Sequence, residues 1–199
     1  MNMMDYIREQ PEVFAKAMAG RTALAAPFVE LFRAVDPDRL YIVASGTSRN
    51  ASATAAPFMS QELGMDMTVS APSRLYAGYG QRPPMIYVSQ GGNSTNTIAA
   101  MERFADIPAL AMTGDRGRIC DLCQHYAEIP CGPETVGPKT KGYTMTILGL
   151  YLLALEAAKA TGRLAAKDYE NYIETLTAAG RAMAANVEAT VAWQKANDE

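Results

Sequence analysis

Five short apolar runs alternate with helix-patterned segments, and no other feature of the chain restricts its fold as strongly. The runs are Leu40-Tyr41-Ile42-Val43-Ala44, "MDMTVSAP" from Met65, "MIYVSQ" from Met85, "IPALAMTG" from Ile107 and "YAEIPCG" from Tyr126. They read as continuous apolar stretches rather than as alternating ones, which is the pattern of strands buried on both faces. Strand–helix alternation repeated five times predicts a parallel sheet joined by right-handed crossovers. The expected fold class is therefore α/β, three layers αβα, with a five-stranded parallel sheet and extra helices at both termini.

Residues 3–35 read as two helices, built around Pro11 and Pro27. "SRNASATAAPFMSQELG" is an Ala-rich helix that stops at Gly64, a C′ glycine. "SRLYAGYGQRPP" begins as a short helix and ends as a loop; "TIAAMERFA" and "RGRICDLCQ" are further short helices. A long apolar helix is expected from Pro138 to about Ala160, stopped by Gly162, and a last amphipathic helix follows. At 199 residues the chain is expected to be one domain, with N-terminal helices over 1–36, an α/β core over 37–160 and a C-terminal helix over 163–197.

Composition excludes several classes. The chain is 49% apolar and 20% charged, close to globular averages. A formal charge of −3 argues against a nucleic-acid partner, which needs a basic face. No uncharged apolar run reaches the roughly 18 residues of a membrane span, because Glu156 interrupts "TMTILGLYLLALEAA". The N-terminus carries Asp5, Glu9 and Glu12 and has no secretory signal pattern, so a cytoplasmic address is the expectation.

Cys120, Cys123, Cys131 and His125 lie within twelve residues, enough in principle for a Cys3His zinc site. There is no second CxxC, and the segment reads better as a helix running into a strand with its cysteines as small apolar residues. No metal and no cofactor are expected.

Three loops carry unusual chemistry. After the first strand comes Ser45-Gly46-Thr47-Ser48. After the third come nine residues, Ser89 to Thr97, every one Ser, Thr, Gly, Asn or Gln. After the fifth comes "GPETVGPKTKGYT", Gly132 to Thr144. In an open parallel sheet all three leave the carboxyl ends of strands, where ligands bind. Helix N-termini offer unpaired N–H groups and partial positive charge, glycines admit a ligand to the backbone, and hydroxyls add donors without bulk. Ser89–Thr97 is thus suited to wrapping the oxygens of a phosphate. The competing reading, in which Ser94 and Asn93 simply cap a helix, needs one such residue and not nine. "ASGTSRNAS" lacks G-x-G-x-x-G, and no GxxxxGK[ST] occurs, which disfavours dinucleotide and P-loop binding.

"YIVASGTSRNAS", "YVSQGGNSTNT" and "GPETVGPKTKGYT" together resemble the three ligand-loop signatures of the sugar isomerase (SIS) domain family, in the order found in the isomerase half of glucosamine-6-phosphate synthase. The opening "YIREQPEVF" resembles the N-terminal helix of that half. The resemblance spans nearly the whole chain and implies a flavodoxin-like αβα fold and a sugar-phosphate ligand. By it, Gly46, Thr47 and Ser48 match the loop that binds sugar hydroxyls. Ser89, Gln90 and Ser94 match side chains that bind phosphate, with Gly91 and Asn93 completing the loop; Gly91 stands where the synthase usually has a further serine. Glu134, Thr140 and Lys141 match polar positions of the third signature, from which Gly137 and Lys139 depart.

The reaction is less constrained. Ketose–aldose isomerisation needs a base that moves a proton between C1 and C2. Single-lobe isomerases of the family place a glutamate after the second strand, where this chain has Ser73 and Arg74. The resemblance therefore points to the first lobe of a two-lobe enzyme. Glu134 is the best in-chain candidate base, or else a carboxylate stabilised by a helix dipole. Lys141 is a charge partner for phosphate or an enediolate, or else an ion-pair partner of Glu134 or a solvated side chain. A non-catalytic sugar-phosphate sensor is the alternative from another class, and a flavodoxin-like nucleotide binder a third. A homodimer is expected, because "KGYTMTILGLYLLALEAAKA" is apolar on more faces than one side of a sheet can bury; a compact cap of terminal helices is the other way to cover it.

Overall fold

The computed structural model describes residues 2–75, 83–137 and 139–197. In chain order its elements are α1 (Met3–Ala19), α2 (Arg21–Val35), β1 (Arg39–Ala44), α3 (Gly46–Leu63), β2 (Asp66–Ser70), β3 (Met85–Val88), α4 (Thr95–Arg103), β4 (Ala109–Thr113), β5 (His125–Glu128), α5 (Lys141–Ala160) and α6 (Ala166–Asn197). Short 3-10 turns occupy Pro72–Arg74 and Arg118–Leu122. The rest of the helix and loop expected in "SRLYAGYGQRPP", residues 76–82, lies outside the described residues, as does Pro138, the expected start of α5.

The sheet is wholly parallel in the order β2-β1-β3-β4-β5. Its direction of growth reverses between β1 and β3, and an open sheet binds its ligand at such a reversal. Ala44 of β1 sits opposite Val88 of β3. Ser45 and Ser89 therefore leave the sheet side by side, about one strand spacing of 5 Å apart.

Burial follows position in the sheet. All four residues of β3 are at most 4% exposed, whereas β2, on the edge, exposes Asp66 and Thr68. One sheet face, with Leu40, Ile42, Ile86, Val88, Leu110 and Met112, packs on α2, α3 and α5. The other, with Val43, Met85, Tyr87 and Ala111, packs on α4, Leu75 and the 3-10 turn at Arg118–Leu122. Each large apolar side chain so buried is worth about 1.5–3 kcal/mol relative to exposure.

α1 and α6 pack against each other and close over α5. Asn2 starts α1 with a reciprocal capping box, its side chain accepting from the Asp5 amide at 3.1 Å and its amide donating to Asp5 at 2.6 Å. Gly180 lets α6 approach the Phe14 ring, where a Cβ would lie 2.6 Å from the ring carbon. Buried Glu156 of α5 accepts from Tyr169 of α6 and from Thr22 of α2 at 3.3 Å, with Arg21 3.6 Å away.

These contacts revise the argument for pairing. Fourteen residues of α5 are buried, and α1, α2, α3 and α6 of the same chain share in covering it. α3 and α2 supply most of that cover, with α1 and α6 adding to it. Among the described residues no helix is long and apolar enough to cross a membrane.

Candidate functional site

All three polar loops emerge on the carboxyl edge of the sheet, and each runs into a helix: Ser45 precedes α3, Ser94 precedes α4 and Thr140 precedes α5. Ser and Thr are strong N-caps because the hydroxyl usually accepts from the helix's own amides. Here none of the three makes a side-chain cap hydrogen bond. The first-turn amides of α3 and α4 consequently face the sheet edge without an internal acceptor from the cap. Ser94 holds the N-cap position of α4, but its hydroxyl is not committed to the helix amides.

Around this edge the predicted residues take different places. Gly46 opens α3 with φ +54° and is exposed with Thr47, while Ser48 is half-buried. Ser89 is 7% exposed, and its amide donates to Met112 at 3.0 Å, continuing the ladder one residue beyond β3. The Gln90 carbonyl accepts from the Gly114 amide at 2.9 Å, the Asp115 amide at 3.1 Å and the Thr113 hydroxyl at 3.1 Å. Gly92 has φ +65°, and a Cβ there would lie 2.7 Å from the Gly117 backbone. Only glycine permits both that conformation and that approach. Asn93 braces the turn: its Nδ2 donates to the Gly91 carbonyl at 2.9 Å, and its Oδ1 accepts from the Arg118 amide at 3.0 Å. Gly91 is exposed and Ser94 half-buried.

The third loop joins the second through Gln90 and Glu134. Gln90 Nε2 donates to Glu134 Oε2 at 3.3 Å, and Gly142 donates its amide to the same oxygen at 3.0 Å. Glu134 Oε1 accepts from the Thr140 amide and hydroxyl, both at 2.7 Å. The carboxylate thus sits on the N-terminus of α5 as a bound anion would. Burial pushes its pKa up, but the Thr140, Gly142 and Gln90 donors outweigh burial and hold it below the usual glutamate range. A Cβ on Gly142, in the first turn of α5, would collide with the Gln90 amide where the second loop crosses the helix.

Lys141 is 3% exposed and pairs with Glu9 of α1, not with Glu134, and its ammonium lies 4.9 Å from the Tyr6 ring centre. Lys139 donates to the Glu134 carbonyl at 2.6 Å. Tyr6 and Thr135 exchange a 2.9 Å hydroxyl contact. Tyr6, Glu9 and Thr113 are polar contributors that the motif reading missed. Thr113 is wholly buried at the end of β4, donating to the Asp115 carbonyl at 2.6 Å, and the "TG" after that apolar run was its signal in the sequence.

The cysteines do not assemble. Cys120 and Cys123 pack with one sheet face and Cys131 with the other. Burial raises the Cys123 thiol to about 12 and the Cys131 thiol to about 11. His125 starts β5, at the opposite end of that strand from the loops, with Nδ1 3.9 Å from Glu30. Among the described residues no group of three or more His, Cys, Asp or Glu is placed to hold a metal ion.

No protein-family model matches the chain. It is 30% identical over 186 residues to a glutamine–fructose-6-phosphate aminotransferase (isomerizing) of Fusobacterium nucleatum, covering 88% of this chain and 31% of that protein. It superposes with a TM-score of 0.91, at 25% identity, on a provisionally assigned phosphosugar isomerase of Clostridium difficile 630, covering 99% of this chain and 57% of that one. A provisionally assigned sugar-binding protein of Salmonella typhimurium LT2 gives a TM-score of 0.87 at 26% identity, covering 98% and 61%. The chain spans about a third of the length of the curated relative it matches.

Proposed function

Because the chain belongs to the sugar isomerase (SIS) domain family, we propose that it is the phosphosugar-binding domain of a ketose–aldose isomerase or deglycase-type enzyme acting on hexose or amino-sugar 6-phosphates. The observation that carries this reading is the pair of helix N-termini, α3 and α4, set side by side at the sheet reversal, with neither Ser45 nor Ser94 spending its hydroxyl on a cap hydrogen bond. The phosphate lies over the α4 end, taking donors from Ser89, Ser94 and the amides of the turn from Gly91. Sugar hydroxyls meet Gly46, Thr47 and Ser48. Gln90 faces Glu134 and links this cradle to the third loop.

Proton transfer is a separate matter. A base must accept a proton, and Glu134 is held ionised by four donors inside the protein. We assign Glu134 to shaping the loop and Lys141, spent on Glu9, to the same task. The base then comes from outside these two residues, in keeping with a first lobe of a two-lobe enzyme, and the chain covers 57% of the Clostridium difficile chain it superposes on.

The commitment of Glu134 also favours a second reading, a sugar-phosphate sensor that turns nothing over. Incubating the chain with fructose 6-phosphate in D2O and following the C1 and C2 positions by NMR tests both. Solvent deuterium entering the sugar excludes the sensor; binding without exchange fits the sensor and equally a lobe whose base lies elsewhere; no binding refutes both.

Pairing of two copies belongs to the same reading. What supports it is the exposed C-terminal half of α6, where Trp193 is 67% exposed. Light scattering that returns twice the 21.4 kDa chain mass agrees with it, and the chain mass alone does not.

A further inference from the structure

α1 reaches into the candidate site with two polar side chains one turn apart. Tyr6 is 3% exposed, and its phenol oxygen accepts from the Thr135 amide at 3.2 Å and lies 2.9 Å from the Thr135 hydroxyl. Glu9, three residues on and so on the same helix face, pairs with Lys141. The two contacts hold the two ends of segment 135–141, while Glu134 holds its interior through Thr140 and Lys139. Between Gly132 and Thr140 the described backbone has neither helix nor strand, so these side chains set its shape. α1 does not need them for its own anchorage: Phe14, Ala17 and Met18, farther along the helix, already bury it in the main core.

We propose that Tyr6 and Glu9 are positioning residues of the sugar site, a clasp from the N-terminal helix that fixes the third loop in the shape that meets the sugar end of the ligand. This rests on the phosphosugar reading above. The phosphate end of the ligand depends on the turn at 89–94, which α1's two residues do not touch. The clasp therefore separates affinity for a whole sugar phosphate from affinity for inorganic phosphate.

The test uses the 199-residue chain, with Tyr6→Phe, which keeps the ring and removes the oxygen, and Thr135→Val on the exposed side of the same contact. Hydrogen exchange at residues 134–137 accelerates in both variants. Fructose 6-phosphate affinity falls about tenfold in Tyr6→Phe and by less in Thr135→Val, which keeps the amide contact, and the double variant is no weaker than Tyr6→Phe alone. Inorganic phosphate affinity stays within about twofold of wild type. If Tyr6→Phe binds fructose 6-phosphate as wild type does, or if both probes weaken alike, the clasp has no positioning role. A wild type that binds neither probe refutes the phosphosugar reading and this inference with it.

Discussion

Gln90 and Glu134 meet across 3.3 Å between two loops 44 residues apart, and that contact joins the turn after β3 to the start of α5. Around it the Glu134 carboxylate collects two backbone amides and a hydroxyl. An anion generated by the protein thus occupies the α5 N-terminus, while the neighbouring helix ends are left for a ligand.

Replacing Glu134 by Gln substitutes a donor for one of the two acceptor oxygens. Buried donors then lose their partner at about 1–3 kcal/mol. Urea unfolding of Glu134→Gln is expected to fall by that amount relative to wild type, with an unchanged dependence on urea. Equal stability would show that the carboxylate anchors nothing.

The same carboxylate sets a pH dependence. Its folded pKa is lowered, so its stabilisation is complete above the ordinary glutamate range and is lost as pH falls through the folded value. Amide exchange at Thr140 and Gly142, corrected for intrinsic rates, is expected to lose protection over that acid interval in wild type. In Glu134→Gln the pH-linked part of the loss disappears.

Gly142→Ala tests the crossing of Gln90 over α5. Elsewhere in a helix the exchange of Gly for Ala stabilises by about 1 kcal/mol. Here the added methyl displaces the Gln90 amide from Glu134, so weaker sugar-phosphate binding and less than that gain in stability are expected. A rise in melting temperature with intact binding would place Gln90 elsewhere.

Thiol chemistry gives a further check. With burial raising Cys123 to about 12 and Cys131 to about 11, both stay protonated and shielded near pH 8. A chromogenic disulfide reagent is expected to label at most Cys120 in the native protein and all three cysteines after denaturation. Rapid native labelling of Cys131 would contradict its place in the core.

The strands and the three loops were legible in the sequence for one reason. A run such as Met85–Val88 must be buried, and Ser89–Thr97 has nothing apolar to contribute to a core. Pairing across the chain was not legible. Lys141 finds Glu9, 132 residues away, because α1 folds back over α5, and no local pattern encodes that. Asn93 looked like a ligand group or a cap, yet its amide is taken by Gly91 and Arg118, a use fixed by the tight turn at Gly92. The apolar excess of α5 was visible, but not that α3 and α2 would supply most of its cover, with α1 and α6 adding to it.

Titration calorimetry with fructose 6-phosphate on wild type, Ser89→Ala and Ser94→Ala decides whether the turn after β3 grips a phosphate. Hydrogen bonds to a charged group are worth about 1.5–3 kcal/mol, so each serine variant is expected to bind at least about tenfold more weakly at unchanged melting temperature. Binding by both variants as tight as wild type would mean that the phosphate is held elsewhere.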